Sequence, residues 1–234
     1  MRNILYIFIL LPIIMSKNLA IAEEVIITKH VYHLYKGNLH FATSENTLLK
    51  HNGKWEYLVS SHTAGIFKLK KDLRMELSKF DIINGNVFTK EYAYNRFRKD
   101  DEDIITTIFD KKNNSAHTIR NGKEIEHSQI KNFQDRLSVQ IDYQNKMKKG
   151  DFEQEYNVID KGRERKYIFS IHDGEVIDTI FGKTNTIIIR KIIEDNKRNT
   201  LTWYAVDHNF IPVKIKQYRK KSLKFTIVLE KIVK

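Results

Sequence analysis

The chain has 234 residues, with 41 Lys or Arg against 29 Asp or Glu, a formal net charge of +12, two prolines and no cysteine. The lack of cysteine excludes disulfide cross-links, thiol catalysis, thiolate metal sites and thiol redox exchange, so the fold has to be held by an apolar core, and at this length ~70% of the unfolded chain's surface can be buried. The basic excess favours an anionic partner, yet no long block of like charges marks a nucleic-acid tail, and abundant Lys, Asn and Ile offer a purely compositional explanation.

At the start, Arg2 precedes an apolar run at residues 4–15, and Ala20-Ile21-Ala22 closes the stretch with small residues. This pattern predicts a secretory signal peptide, residues 1–22, cleaved after Ala22. The run is shorter than the roughly 20 residues that a membrane-spanning helix needs. No cysteine stands near the cut to carry a lipid, so residues 23–234 are expected as one free, soluble, exported β-rich domain in the periplasm. The anionic partner would there be a membrane surface or an envelope polymer and not nucleic acid.

Strand-like runs follow at roughly residues 24–35, 38–50 and 54–60, then at 66–69. Asn52-Gly53 supplies the positive φ angles of a two-residue hairpin turn, after which Trp55, Tyr57 and Val59 share one face by period-two alternation. Asn84-Gly85 and Asn121-Gly122 repeat the signal. They place strands around residues 82–88 and 104–109, with the charged run 99–103 as an exposed connection. A helix is predicted within 127–147, where Ile130, Phe133, Leu137 and Ile141 share a helical face. Ser128 is its expected N-cap and Lys148-Lys149-Gly150 its stop. A helix with one apolar stripe should pack on the sheet or plug an open end of it.

Strands return at residues 166–171 and 175–180 around an Asp173-Gly174 turn, then at 184–193, 201–206, 211–218 and 223–233. Residues 203–217 form one predicted hairpin. Ile211, Val213 and Ile215 alternate with Lys214 and Lys216, and Leu223, Phe225, Ile227 and Leu229 with Lys224 and Thr226. Each of these strands should cover a core on one side and meet water on the other. Pro212 sits near a strand's start, where a missing amide donor does least harm.

Nine histidines occur, but His30 and His33 are an odd number of residues apart in a strand and so point to opposite faces. His-Glu-x-x-His, a glycine-rich phosphate loop and a Gly-x-Ser-x-Gly elbow are all missing from the sequence. No catalytic residue, metal site or cofactor is expected. Asp207-His208 falls where the hairpin reverses, and aspartate favours such positions through bonds to backbone amides, so Asp207 is expected as a structural turn residue. Asp135 and Ser138, three apart on the helix, could share a surface. Trp55, Tyr167, Phe169 and Trp203, with Tyr57, would line the inside of a curved sheet, where they either fill the core or bind an apolar ligand.

Several late segments carry a resemblance: Asp135-Arg136-Leu137-Ser138, Gly162 with Tyr167-Ile168-Phe169, Asp178-Thr179 with Gly182, then Trp203, Ala205, Asp207, Pro212-Val213 and Gln217. In their order the chain resembles the domain of unknown function 3108 family, exported bacterial proteins of undetermined activity, with Gly65-Ile66 and Phe109-Asp110 fitting more loosely. Ile180 stands where the family often has proline. The resemblance implies an exported compartment and a β-rich fold, and brings no catalytic residues with it.

The expected fold is mainly β, an antiparallel curved sheet forming a barrel or half-barrel with one helix packed against it. The expected function is that of an exported, non-catalytic envelope protein binding a lipid or other apolar ligand, since a curved sheet lined by aromatics can enclose one. Two alternatives stay open: a scaffold or interaction module that presents its basic outer face to anionic envelope polymers, and an uncharacterised hydrolase.

Overall fold

The computed structural model describes residues 24–51, 53–69, 72–99, 101–194 and 197–233. The predicted signal peptide, Asn52 of the first Asn-Gly turn and Asp100 of the charged run lie outside the described residues. The first strands are β1 (Glu24–Lys36), β2 (Leu39–His51), β3 (Lys54–Thr63), β4 (Asp72–Ile83), β5 (Asn86–Arg98), β6 (Asp101–Asp110), β7 (Ser115–Arg120) and β8 (Lys123–His127). The short β9 (Gln134–Asp135) and the helix α1 (Ser138–Met147) follow. The chain ends with β10 (Gln154–Ile159), β11 (Glu164–Thr179), β12 (Gly182–Ile193), β13 (Arg198–Ala205), β14 (Ile211–Arg219) and β15 (Ser222–Val233).

All of these strands belong to one 15-stranded sheet, ordered from β8 down to β1 and then from β15 down to β9. β1 and β15 pair in the middle, and the two halves of the chain wind outward from them. Every pair is antiparallel except β9 with β10. At a spacing of about 4.8 Å a flat sheet of this kind would be roughly 67 Å wide, with β8 and β9 at opposite edges. Residues 128–133 nevertheless carry the chain from β8 to β9, and their extended reach is at most about 25 Å. The sheet therefore rolls up until its edges meet, which is the curved, barrel-like form that the alternation predicts.

Side chains make the closure, because the ladder does not run on from β8 to β9. Ala116 of β7, Ile130 and Ile159 of β10 are buried together, with Phe109 and Phe133 against them. His127 Nδ1 lies 3.0 Å from Glu164 Oε1 on β11. Gly162 has φ +74°, and a Cβ there would sit 2.9 Å from Thr118 Cγ2. The close approach of β7 to the β10–β11 turn thus needs glycine at this position.

The helix is shorter than its sequence pattern. Residues 128–133 are irregular, since Gln129 and Asn132 take positive φ angles of 58° and 62°, and Ser128 caps nothing in the structure. The start is set instead by Asp135, whose Oδ1 accepts from the amides of Leu137 at 2.6 Å and Ser138 at 3.0 Å. Its other oxygen accepts from the Ser78 hydroxyl of β4 at 2.5 Å, and Ser138 Oγ lies 2.7 Å from Thr89 Oγ1 of β5. Asp135 and Ser138 are both fully buried, so this pair is a latch between the helix and the opposite wall. Asp142 extends the latch, accepting from the Val87 amide at 3.0 Å and the Tyr156 hydroxyl at 2.9 Å. Val139, Tyr143 and Met147 pack against Tyr156, Val158, Phe169 and Ile189, each fully buried side chain contributing about 1.5–3 kcal/mol. Gly150 ends the helix at φ +82° as expected.

Other expectations need correction. Residues 65–69 form a 3-10 turn, not a strand. Asp101, Glu102 and Asp103 of the charged run belong to β6, with Asp101 opposite Arg98 in the β5–β6 register. Asp173 and Gly174 lie inside β11, opposite Ile188 and Ile187, beside a bulge that takes up the extra residue. Reversal comes after Thr179, whose hydroxyl accepts from the Phe181 amide at 3.0 Å.

The 203–217 hairpin forms from β13 and β14. Its turn is closed by the Phe210 amide donating to Ala205 O at 3.0 Å. Asp207 is exposed and accepts from the Asn185 side chain at 3.3 Å, not from backbone amides. Asp207→Ala should consequently cost under about 0.5 kcal/mol in a urea titration; a loss above about 1 kcal/mol would show that the carboxylate supports the turn's backbone after all.

Candidate functional site

Alternation along the strands turns one set of side chains into the rolled sheet, and α1 lies across one end. Gln144 Nε2 donates to the carbonyls of Asn209 and Phe210 in the β13–β14 turn, and Lys146 Nζ donates to Asn86 Oδ1 beside the β4–β5 turn. Behind the helix an interior cavity of about 620 Å³ remains. Its apolar wall includes Leu34, Val59, Leu137, Phe169, Ile189, Ile215, Phe225 and Ile227. Tyr32, Tyr57 and Tyr204 add amphipathic rings, and Ser44, Asn46, Thr200, Thr202 and Gln217 add neutral polar groups.

A charged cluster faces this wall. Arg136, the residue after the Asp135 latch, places Nε 3.4 Å from Glu76 Oε2 of β4 and Nη1 3.7 Å from Asp160 Oδ1. Tyr92 OH donates to Glu76 at 2.8 Å and Tyr167 OH to Asp160 at 2.8 Å. The β10–β11 turn is pinned by reciprocal backbone bonds between Asp160 and Arg163, and Lys161 and Gly162 take positive φ within it. That turn carries Lys161 to the cavity with its Nζ 3.2 Å from the centre of the Tyr94 ring. Lys191 of β12 reaches the same cavity, its Nζ 4.8 Å from the centre of the Tyr167 ring.

Electrostatics separates these groups. Burial, then the charge of Arg136, pushes both Lys161 and Lys191 down to about 8. Burial alone would raise the Asp160 carboxyl, but Arg136 and the Tyr167 hydroxyl outweigh it and hold the group below its ordinary value. Burial would lower Arg136, but Glu76 and Asp160 outweigh it and keep the guanidinium charged. Arg136, Lys161 and Lys191 therefore lie with Glu76 and Asp160 beside an apolar wall, and Arg74, paired with Asp72, lines the same cavity. Such a site can take an anionic group at the cluster while an apolar body lies along Phe169, Ile189, Ile215 and Ile227.

The residues expected from the sequence divide. Phe169 lines the cavity. Tyr167 is buried behind it and serves through its hydroxyl on Asp160. Trp55 packs with Phe80, Val87 and Ile141 beneath the helix, away from the cavity lining. Trp203 faces the other way: it sits directly opposite Lys214, between Thr202 and Tyr204, which do line the cavity. Its indole N–H bonds to Glu175 Oε1, and Lys214 and Lys216 lie 4.9 and 5.3 Å from its ring centre. Trp203 is thus covered on the outside by the stems of lysines expected in open water. Glu76, Lys161 and Lys191 were not singled out by sequence, and Arg136 entered only within the segment 135–138 that carries the family resemblance. Lys191 carried a readable signal, a lone lysine in the period-two series Ile187, Ile189, Lys191, Ile193.

Comparison with known proteins bears on the fold. The family model described as protein of unknown function (DUF3108) matches residues 31–228. No curated protein matches the chain. Among solved structures, the β-barrel-like protein of domain of unknown function DUF1849 from Brucella abortus is similar with a TM-score of 0.58 at 8% identity, over 88% of this chain and 96% of that one. A protein with a YmcC-like fold from Bacteroides fragilis is matched at a TM-score of 0.37 and 12% identity, over 88% of this chain and 95% of that one. The first likeness shows a barrel-like fold.

Proposed function

Because this chain belongs to the DUF3108 family, a family of unknown function, we propose its role from the geometry of its own interior: an exported, non-catalytic envelope protein that holds an apolar ligand with an anionic end. The observation that carries the reading is the cavity of about 620 Å³ in which an apolar wall faces Arg136, Lys161 and Lys191. A volume in this range suits one small lipid-like molecule. Apolar surface removed from water contributes ~25 cal/mol per Å², and the cationic cluster fixes which end of the ligand lies where. The cavity also favours this reading over a scaffold role, for which a filled core would serve as well.

The test is titration of delipidated protein with a fluorescent fatty acid. Saturable binding of one probe per chain is expected, displaced by unlabelled fatty acid; no saturable binding would end the reading. Export rests on the Ala20-x-Ala22 pattern, and the mature protein should begin at Glu23. N-terminal sequencing that starts at Met1 would sink that part.

A pH signature follows from the two lysines. Both titrate near 8 in the free protein, and a bound anion raises that value. Below pH 8 they are already charged, so affinity for a carboxylate should be flat; above it, binding should take up protons and weaken as pH rises. Calorimetry just above pH 8 in two buffers of different ionisation enthalpy reads the uptake directly, and identical heats would remove these lysines from the site.

A further inference from the structure

Turns in this up-and-down sheet alternate between its two ends. The β4–β5 and β13–β14 turns lie at the end crossed by α1. The β1–β2 turn at residues 37–38, the 3-10 turn Gly65–Leu69 between β3 and β4, and the β14–β15 turn at residues 220–221 lie at the other. Register places them side by side: Tyr35 is opposite Thr226, and the Ala64 amide donates to Phe41 O at 2.8 Å. This end is open to the cavity, whose lining runs out to Arg219 and Lys224.

The three turns share a composition that a protein exposed only to water does not need. Each carries a large apolar side chain standing out from the surface: Leu39 is 44% exposed, Ile66 74%, Leu69 95% and Leu223 45%. Around them stand the exposed cations Lys36, Lys68, Lys220 and Lys221. Segments 36–39, 65–69 and 219–224 contain no acidic residue. Of the acids in neighbouring turns, Asp72 is paired with Arg74 and Arg96 and Asp101 with Arg98, while Glu102 and Glu194 are exposed.

We propose that this open rim docks on an anionic lipid bilayer, with Leu39, Ile66, Leu69 and Leu223 entering the interface and the lysines meeting lipid head groups. The apolar tips sit on or beside separate turns at one end of the sheet. A fluid interface accepts isolated apolar tips at a common depth, and basic residues beside them add attraction to anionic lipid that salt screens. The cavity mouth then opens on the bilayer. This inference stands apart from the cavity reading, because docking needs only the rim.

Vesicles of phosphatidylglycerol with phosphatidylcholine, and of phosphatidylcholine alone, provide the test with the full mature chain. Partitioning is expected on the anionic vesicles and to weaken at high salt. Leu69→Trp should give emission that shifts to the blue and is quenched by brominated lipid. Ile66→Ser with Leu69→Ser should lower partitioning about tenfold or more, and Lys220→Glu with Lys221→Glu should lower it by a similar factor. Each variant should keep the circular dichroism and the fatty-acid titration of the parent, both measured without vesicles. That separates loss of docking from loss of the cavity's ligand. Absence of partitioning at low salt would overturn the proposal. So would a Leu69→Trp variant that sediments with vesicles while its added indole stays unquenched, or equal binding to a soluble anionic polymer with no bilayer, which would mark the rim as a polymer site.

Discussion

Replacing Asp135 by alanine is expected to destabilise the protein by about 3 kcal/mol, the largest loss of any single polar change. The carboxylate accepts from Ser78, Leu137 and Ser138 in a fully buried position, and each donor left without a partner costs about 1–3 kcal/mol. Part of this is offset, since burial pushes the Asp135 carboxyl above its ordinary value and alanine carries no charge to bury. Asp135→Asn keeps an acceptor for the two amides, and its NH2 can face the Ser78 oxygen, so its cost should stay under about 1 kcal/mol. Urea midpoints for the pair decide the matter. Equal losses from the two changes would show that the charge itself, and not the acceptor geometry, holds the latch.

The second large effect is expected on binding. Lys191→Met removes a cation from the cavity while nearly keeping the side chain's volume, and affinity for a fatty acid should fall about 10- to 100-fold, the range for losing one charge-assisted bond. The corresponding long-chain alcohol, which lacks the anion, should bind both proteins alike. Stability moves the other way. Lys191 titrates at about 8 in the folded chain against about 10.4 when unfolded, so between those values the unfolded state binds more protons and stability rises with pH. Lys191→Met should flatten that rise and cost nothing at neutral pH. Equal loss of acid and alcohol binding would mean that the variant had damaged the cavity's shape.

Much of the architecture was legible because period-two alternation is a local signal. The hairpins β1–β2, β2–β3, β13–β14 and β14–β15 fall close to where apolar and polar residues alternate, with Asn-Gly interrupting the pattern between β2 and β3 and Asp-His-Asn between β13 and β14. The helix start was misplaced because Ile130, Phe133, Leu137 and Ile141 are all buried or nearly so, and helical spacing cannot distinguish a helix from an irregular strap under the same cover. Its true start depends on a carboxylate that also reaches Ser78, 57 residues away. The site was harder still. Trp203 and Phe169 look equivalent in sequence, but which face turns inward is fixed by register across β11 to β14 and by the bulges within it. Arg136, Lys161 and Lys191 lie far apart in sequence and are gathered by pairing among the neighbouring strands β9 to β12, while Glu76 of β4 reaches Arg136 only when the sheet rolls up, so no local pattern groups them.

The central claim, that the rolled sheet holds an amphiphile with an anionic end, is tested most directly by native mass spectrometry of the protein isolated from its own cells without detergent. A fraction of chains should carry one added mass, removed by organic extraction and identified as a molecule with an apolar body and a carboxylate or phosphate. Only the bare chain mass in gently prepared samples, with extracted protein that takes up no fatty acid, would contradict the account.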